Sequence, residues 1–133
     1  SELIQRAEFS QAFDDIDPIM SRRIIFDGYI KGAGQERFID VRPKGSVSPM
    51  YYDRLYVMLN KIHLYRKAKG ISAELVLIML DIEGEDDNRP WSIDRFYDYF
   101  QSAISNKLLK IETISVSAEE VENYGSDGQQ SLL

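Results

Sequence analysis

Residues 73–80, AELVLIML, constrain the fold more than any other stretch of this chain. A strand that is apolar on both faces must be covered on both, which is the position of an interior strand in a parallel or mixed α/β sheet. The run therefore predicts the middle of a sheet. Asp81-Ile82-Glu83-Gly84-Glu85-Asp86-Asp87 follows at its C-terminal end, where open α/β sheets tend to hold ligands.

Arg22 to Lys44, RRIIFDGYIKGAGQERFIDVRPK, reads as a β-hairpin, because two runs rich in Ile, Val, Phe and Tyr flank Gly32-Ala33-Gly34. With the turn centred on Ala33 and Gly34, cross-strand partners have residue numbers summing to 67, and Asp27 faces Asp40. Alternation then puts Ile24, Phe26, Ile30, Ile39 and Val41 on one face, expected to be core, and Asp27, Tyr29, Phe38, Asp40 and Arg42 on the other. Directly opposed like charges are destabilising. Two remedies are open: a hard cation such as magnesium or manganese between the carboxylates, or neutralisation by Arg42 with Arg22 or Arg23.

Around these two stretches, residues 1–13 suit a helix that stops at Asp17-Pro18. Ser48-Pro49 starts a helix that runs to about Lys69, with Leu55, Met58, Leu59, Ile62 and Tyr65 as its buried stripe and Gly70 as its stop. Ser92 caps another helix, whose face is Ile93, Phe96, Tyr97, Phe100, Ala103 and Ile104. Leu108 to Ser117 is β-branched enough for a last strand. The expected fold is α/β: a mixed four-stranded sheet with helices on both faces, in the order α-β-β-α-β-α-β, over residues 1–118. Residues 119–133 form an acidic, polar tail expected to fray.

Composition narrows the chemistry. The 133 residues contain no cysteine and one histidine, His63, which excludes thiolate chemistry, Cys-based zinc sites and multi-histidine centres. Any metal must be held by carboxylates. The net charge of −6 divides unevenly: residues 1–70 carry 12 Lys/Arg and 9 Asp/Glu, whereas residues 71–133 carry 4 and 13. The hairpin lies in the basic half, so a local basic strip can coexist with an acidic total. No P-loop motif occurs. The longest apolar run, Leu75 to Leu80, is far short of the roughly 20 residues of a membrane span, and no signal-like N-terminal pattern is visible. A cytoplasmic location with no membrane partner is expected.

The order of elements, with FDGYI around Asp27 and IDVRPKG around Asp40 and Arg42, resembles the PD-(D/E)XK nuclease superfamily, the restriction-endonuclease-like fold. The resemblance spans about residues 1–82. It implies that Asp27 and Asp40 bind magnesium or manganese and that Arg42, or Lys44 two residues on, meets the scissile phosphate. Glu8 stands where some members carry a first-helix glutamate. Lys61 and Tyr65 match the spacing of the Gln-x-x-x-Tyr helix motif of RecB-type members, which makes them, with Arg54, nucleic-acid-binding candidates. The chain departs from the pattern at Phe26, in place of proline, at Arg42, in place of lysine, and at Lys61, in place of glutamine.

Two functions are consistent with these residues. One is metal-dependent hydrolysis of phosphodiester bonds in DNA or RNA. The alternative is an inactive module of the same fold that binds a protein or nucleic-acid partner through Tyr51, Tyr52 and Tyr56 or through the acidic C-terminal half. Loss of the motif lysine speaks for the second, the facing aspartates for the first.

Overall fold

The computed structural model describes residues 2–5, 26–32, 34–84, 93–117 and 119. Its elements are β1 (Glu2–Gln5), β2 (Gly28–Gly32), β3 (Gln35–Pro43), α1 (Pro49–Lys69), β4 (Ser72–Ile82), α2 (Ile93–Tyr99), α3 (Gln101–Ser105) and β5 (Leu109–Val116). A 3-10 turn, Lys44–Ser46, joins β3 to α1. The strands lie side by side in chain order. β1, β2 and β3 are antiparallel neighbours, and β3, β4 and β5 are parallel ones. The apolar run is thus β4, hydrogen-bonded on both edges, with Ala73, Leu75, Val76, Leu77 and Met79 all buried.

Parallel neighbours need crossovers, and α1 and the α2–α3 pair supply them. Both crossovers step in the same direction across the sheet, so connections of the usual right hand land on the same face. Their side chains meet: the Tyr52 ring lies 5.6 Å from Phe96 and 5.4 Å from Phe100. The expected placement of helices on both faces is therefore not what is found among the described residues, because a sheet wound in one direction puts its crossovers on one side. β2 to β5 are the four expected strands, and β1 adds a fifth at the edge.

β1 also corrects the helix expected over residues 1–13. Glu, Leu and Gln favour a helix in isolation, but pairing with the otherwise open edge of β2 satisfies these backbone groups, and a tertiary partner outweighs a weak local preference. The rest of that segment, with Glu8, lies outside the described residues, as do Arg22, Arg23, Ile24 and Ser92.

Helix α1 begins and ends for the reasons read from its sequence. Pro49 occupies the first turn, and Ser48 precedes it with its carbonyl accepting from the Tyr51 N–H at 2.9 Å, although the Ser48 side chain makes no cap bond. Gly70 closes the helix at φ 65°, its N–H on the Arg66 carbonyl at 2.9 Å. The hairpin register is the expected one, from Gly28 opposite Ile39 to Gly32 opposite Gln35, with Gly34 at φ 75° in the turn.

The covered face of the hairpin is the reverse of the expected one. Glu36, Phe38 and Asp40 are buried under α1, whereas Ile30, Ile39 and Val41 on the other face are half-buried. A strand inside a sheet carries apolar residues on both faces, so alternation alone does not say which one a helix covers. Phe26 escapes the alternation because it precedes β2, and its ring packs 5.1 Å from Phe38. Phe38 also touches Tyr29 at 5.2 Å and Tyr65 at 5.8 Å. It ties β2, β3 and α1 together. Phe38→Ala should cost about 3–5 kcal/mol, read as a lower denaturation midpoint in urea at an unchanged slope.

Candidate functional site

Asp27 and Asp40 come together just beyond the last pair of the hairpin ladder, Gly28 opposite Ile39, where the Asp27 side chain takes up the Val41 N–H. Asp27 occupies a bend at the start of β2, and its Oδ2 accepts the Val41 N–H at 2.7 Å. Its carboxyl is within hydrogen-bonding reach of Asp40. Burial, opposed by the Val41 N–H and reinforced by the Asp40 carboxyl, pushes Asp27 above the ordinary carboxylate range; Arg42 pulls weakly the other way. Two carboxyls this close need a proton or a cation between them.

Asp40 is only 1% exposed. Its Oδ2 accepts from the Tyr51 hydroxyl at 2.6 Å and from Arg42 Nε at 3.2 Å. The Arg42 guanidinium also lies over the Tyr51 ring, 5.0 Å from its centroid. Burial raises the Tyr51 phenol well above its ordinary value, and the neighbouring Asp40 charge raises it further, so at working pH it only donates. For Arg42, burial works against the charge but the Asp40 carboxylate outweighs it, and the proton is held more tightly than usual. The expectation that both aspartates face away from the apolar layer is overturned. Their face is interior, and α1 makes that tolerable by bringing Tyr51 to Asp40.

A second buried acid lies on the same face of β3. Glu36 accepts from Tyr65 at 3.0 Å on each carboxylate oxygen and from the Tyr29 hydroxyl. Burial, then the Glu36 carboxylate, pushes Tyr65 up to about 12 and raises Tyr29 likewise. Because α1 runs back along β3, its early Tyr51 reaches the later acid and its late Tyr65 the earlier one.

Of the residues singled out in the sequence, the structure assembles Asp27, Asp40 and Arg42. Lys44 opens the 3-10 turn and is half-buried, and Arg54 is exposed on α1. Lys61 and Tyr65 are 1% and 8% exposed, on the side of α1 that packs on the sheet. Glu36 was not singled out in the sequence, and Tyr51, expected there as a partner contact, and Tyr29 are instead buried hydrogen-bond donors of the site. Their signal was available for Glu36, which alternates with Phe38 and Asp40, and for Tyr51, which extends the stripe of Leu55, Met58 and Ile62 by one turn.

The donor set suits magnesium or manganese, which bind through one or two carboxylates and complete their octahedra with water and phosphate oxygens. Among the described residues no third Asp, Glu or His joins the pair in a ligand cluster. No helix among them is long and apolar enough to cross a membrane. Comparison with known proteins finds no matching family model, curated protein or solved structure.

The pH dependence of this pair follows from its raised Asp27. A carboxyl bound more tightly to its proton in the folded state stabilises the fold below its unfolded value near 3.8 and loses that contribution as pH rises through its folded value. Asparagine at this position keeps an acceptor for Val41 and offers Asp40 an N–H at every pH. In chelator at neutral pH, Asp27→Asn should therefore raise Tm by about 3–5 °C, the shift that ~1 kcal/mol produces in a domain of this size. The gain should vanish below pH 4. A thermal melt series across pH reads both.

Proposed function

We propose that this chain is a metal-dependent nuclease-like domain that hydrolyses phosphodiester bonds in DNA or RNA, with Asp27 and Asp40 as its cation ligands. The observation that carries this reading is a carboxylate pair, a buried Asp40 and a half-buried Asp27 from the approach to β2, beside the Arg42 guanidinium in the C-terminal half of a parallel strand. Two facing carboxyls at such a position, one of them with a raised pKa, suit a ligand.

A divalent cation held there supplies Lewis-acid polarisation of the phosphate and a water ligand of lowered pKa. The protein's own part is electrostatic and positional. Val41 N–H and Tyr51 O–H fix one oxygen of each carboxylate, which orients the pair before any ligand arrives. Arg42 keeps its proton at any working pH, so it stabilises charge on a phosphoryl oxygen and takes no proton from water. Lys44, two residues further, is the remaining candidate for phosphate contact, and Glu8 the candidate third acid.

The second reading, an inactive module of the same fold, is favoured by one observation. Arg42 and Tyr51 already satisfy Asp40, so the site is neutralised in part without a cation. Binding of a partner would then be the whole function.

Cleavage assays on single-stranded and duplex substrates separate the two. Magnesium or manganese should support cleavage by the parent, Asp40→Asn should lower it by orders of magnitude, and Arg42→Lys should preserve or raise it by placing a titratable ammonium on the same strand position. Cleavage that survives Asp40→Asn would discard the site, and absence of metal-dependent cleavage in both parent and Arg42→Lys would leave the binding module. Binding should also raise Tm, by an amount that grows with the logarithm of metal concentration above Kd. That increase should fade at acid pH, where the proton bound by Asp27 competes with the cation.

A further inference from the structure

Away from the carboxylate pair, on the flank of α1 that faces α3, lies an open groove of about 860 Å³. Its wall on α1 includes Tyr56, Asn60, His63, Arg66 and Lys67, and its opposite wall includes Tyr99. Among the described residues lining it there is no Asp or Glu, in a chain whose net charge is −6.

Two features of this groove suit a ligand, although its tyrosines also pack on Phe100. Tyr56 and Tyr99 meet edge to face with centroids 5.6 Å apart, yet they are 47% and 53% exposed. Tyr99 is held from behind by stacking on Tyr52 at 5.1 Å, so its ring is a fixed platform and not a loose side chain. At the other end, His63 and Lys67 are exposed, and Arg66, half-buried, is steadied by donating to the Asn106 carbonyl at 3.5 Å. Cations at a helix C-terminus suit the macrodipole, which accounts for their sign but not for their alignment with two exposed rings.

Aromatic platforms followed by cations in an acid-free groove match one chemistry: unpaired bases on a phosphate backbone. Tyr56 to Lys67 is 11 residues of helix, a rise of about 16 Å. At ~3.4 Å per stacked nucleotide, that is room for about four or five nucleotides. A rigid duplex buries its base faces and has nothing to lay on Tyr56 and Tyr99.

We propose that the groove between α1 and α3 binds single-stranded nucleic acid, with bases on Tyr56 and Tyr99 and phosphates at His63, Arg66 and Lys67. This deepens the nuclease reading, on whose nucleic-acid substrate it rests, by naming the substrate as single-stranded and moving its track from Lys61 and Tyr65 to the opposite side of the helix.

The test is fluorescence anisotropy of a labelled oligothymidylate, its RNA counterpart, a duplex of equal length and a labelled mononucleotide, all in chelator so that cleavage plays no part. The single strands should bind more tightly than the duplex. Tyr56→Ala and Tyr99→Ala should each weaken binding about tenfold, while Tyr56→Phe retains it. The double variant Arg66→Gln, Lys67→Gln should flatten the dependence of log K on log salt by about 1.4. Should Tyr99→Ala fail to fold, the exposed Tyr56 and Lys67 positions carry the same comparison, and amide shift changes in the parent report whether the oligonucleotide lies along α1 and α3. Preference for duplex, affinity unaltered by the tyrosine variants, or binding of the mononucleotide alone would overturn the proposal. Metal-dependent cleavage with an unchanged KM in Tyr56→Ala would remove the groove and leave the nuclease standing. Groove binding without cleavage would do the reverse.

Discussion

The Tyr51 hydroxyl on Asp40, 2.6 Å long and almost wholly removed from water, is the contact on which the rest of this structure depends. A carboxylate on the covered face of a sheet is tolerable only if its oxygens are satisfied there. Tyr51 does this from α1, Arg42 from the same strand, and the helix is thereby free to lie on the polar-bearing side of the hairpin. Once α1 lies there, Phe38 becomes the centre of an aromatic cluster and Glu36 acquires its own phenols. Among the described residues no buried side-chain N or O lacks a hydrogen-bond partner.

That solution leaves one imbalance. Among the described residues, Asp40 has a phenol and a guanidinium, whereas Asp27 has one backbone N–H and another carboxyl. Two carboxyls this close are balanced by a proton, which is the direction in which the Asp27 pKa is pushed. The contrast with Glu36 is informative: that acid is held by two phenols, whereas Asp27 faces another carboxyl.

The helix that organises the site has a second exposed flank of different character. Its inner stripe serves the sheet, its outer one carries the groove with Tyr56 and Lys67, and the two are a fraction of a turn apart. Lys61 and Tyr65, chosen from sequence by their spacing, fall on the inner stripe. Spacing along a helix specifies angle relative to other residues on that helix, not which angle faces solvent.

Local chemistry determined the elements and their pairing. The apolar run at 75–80 could only be an interior strand, Gly32 and Gly34 set the hairpin and with it the meeting of Asp27 and Asp40, and Pro49 and Gly70 bounded α1, because each of these depends on neighbours in the chain. Three things were decided only by tertiary structure. Glu2–Gln5 became a strand because β2 had an edge to offer. The two described crossovers put their helices on one face because both advance in one direction. And the aspartate face turned inward because two tyrosines, 11 and 29 residues away from the acids they serve, arrived to receive it. None of these is legible in a window of sequence, since each is an exchange between groups that only the closed sheet brings within hydrogen-bonding distance.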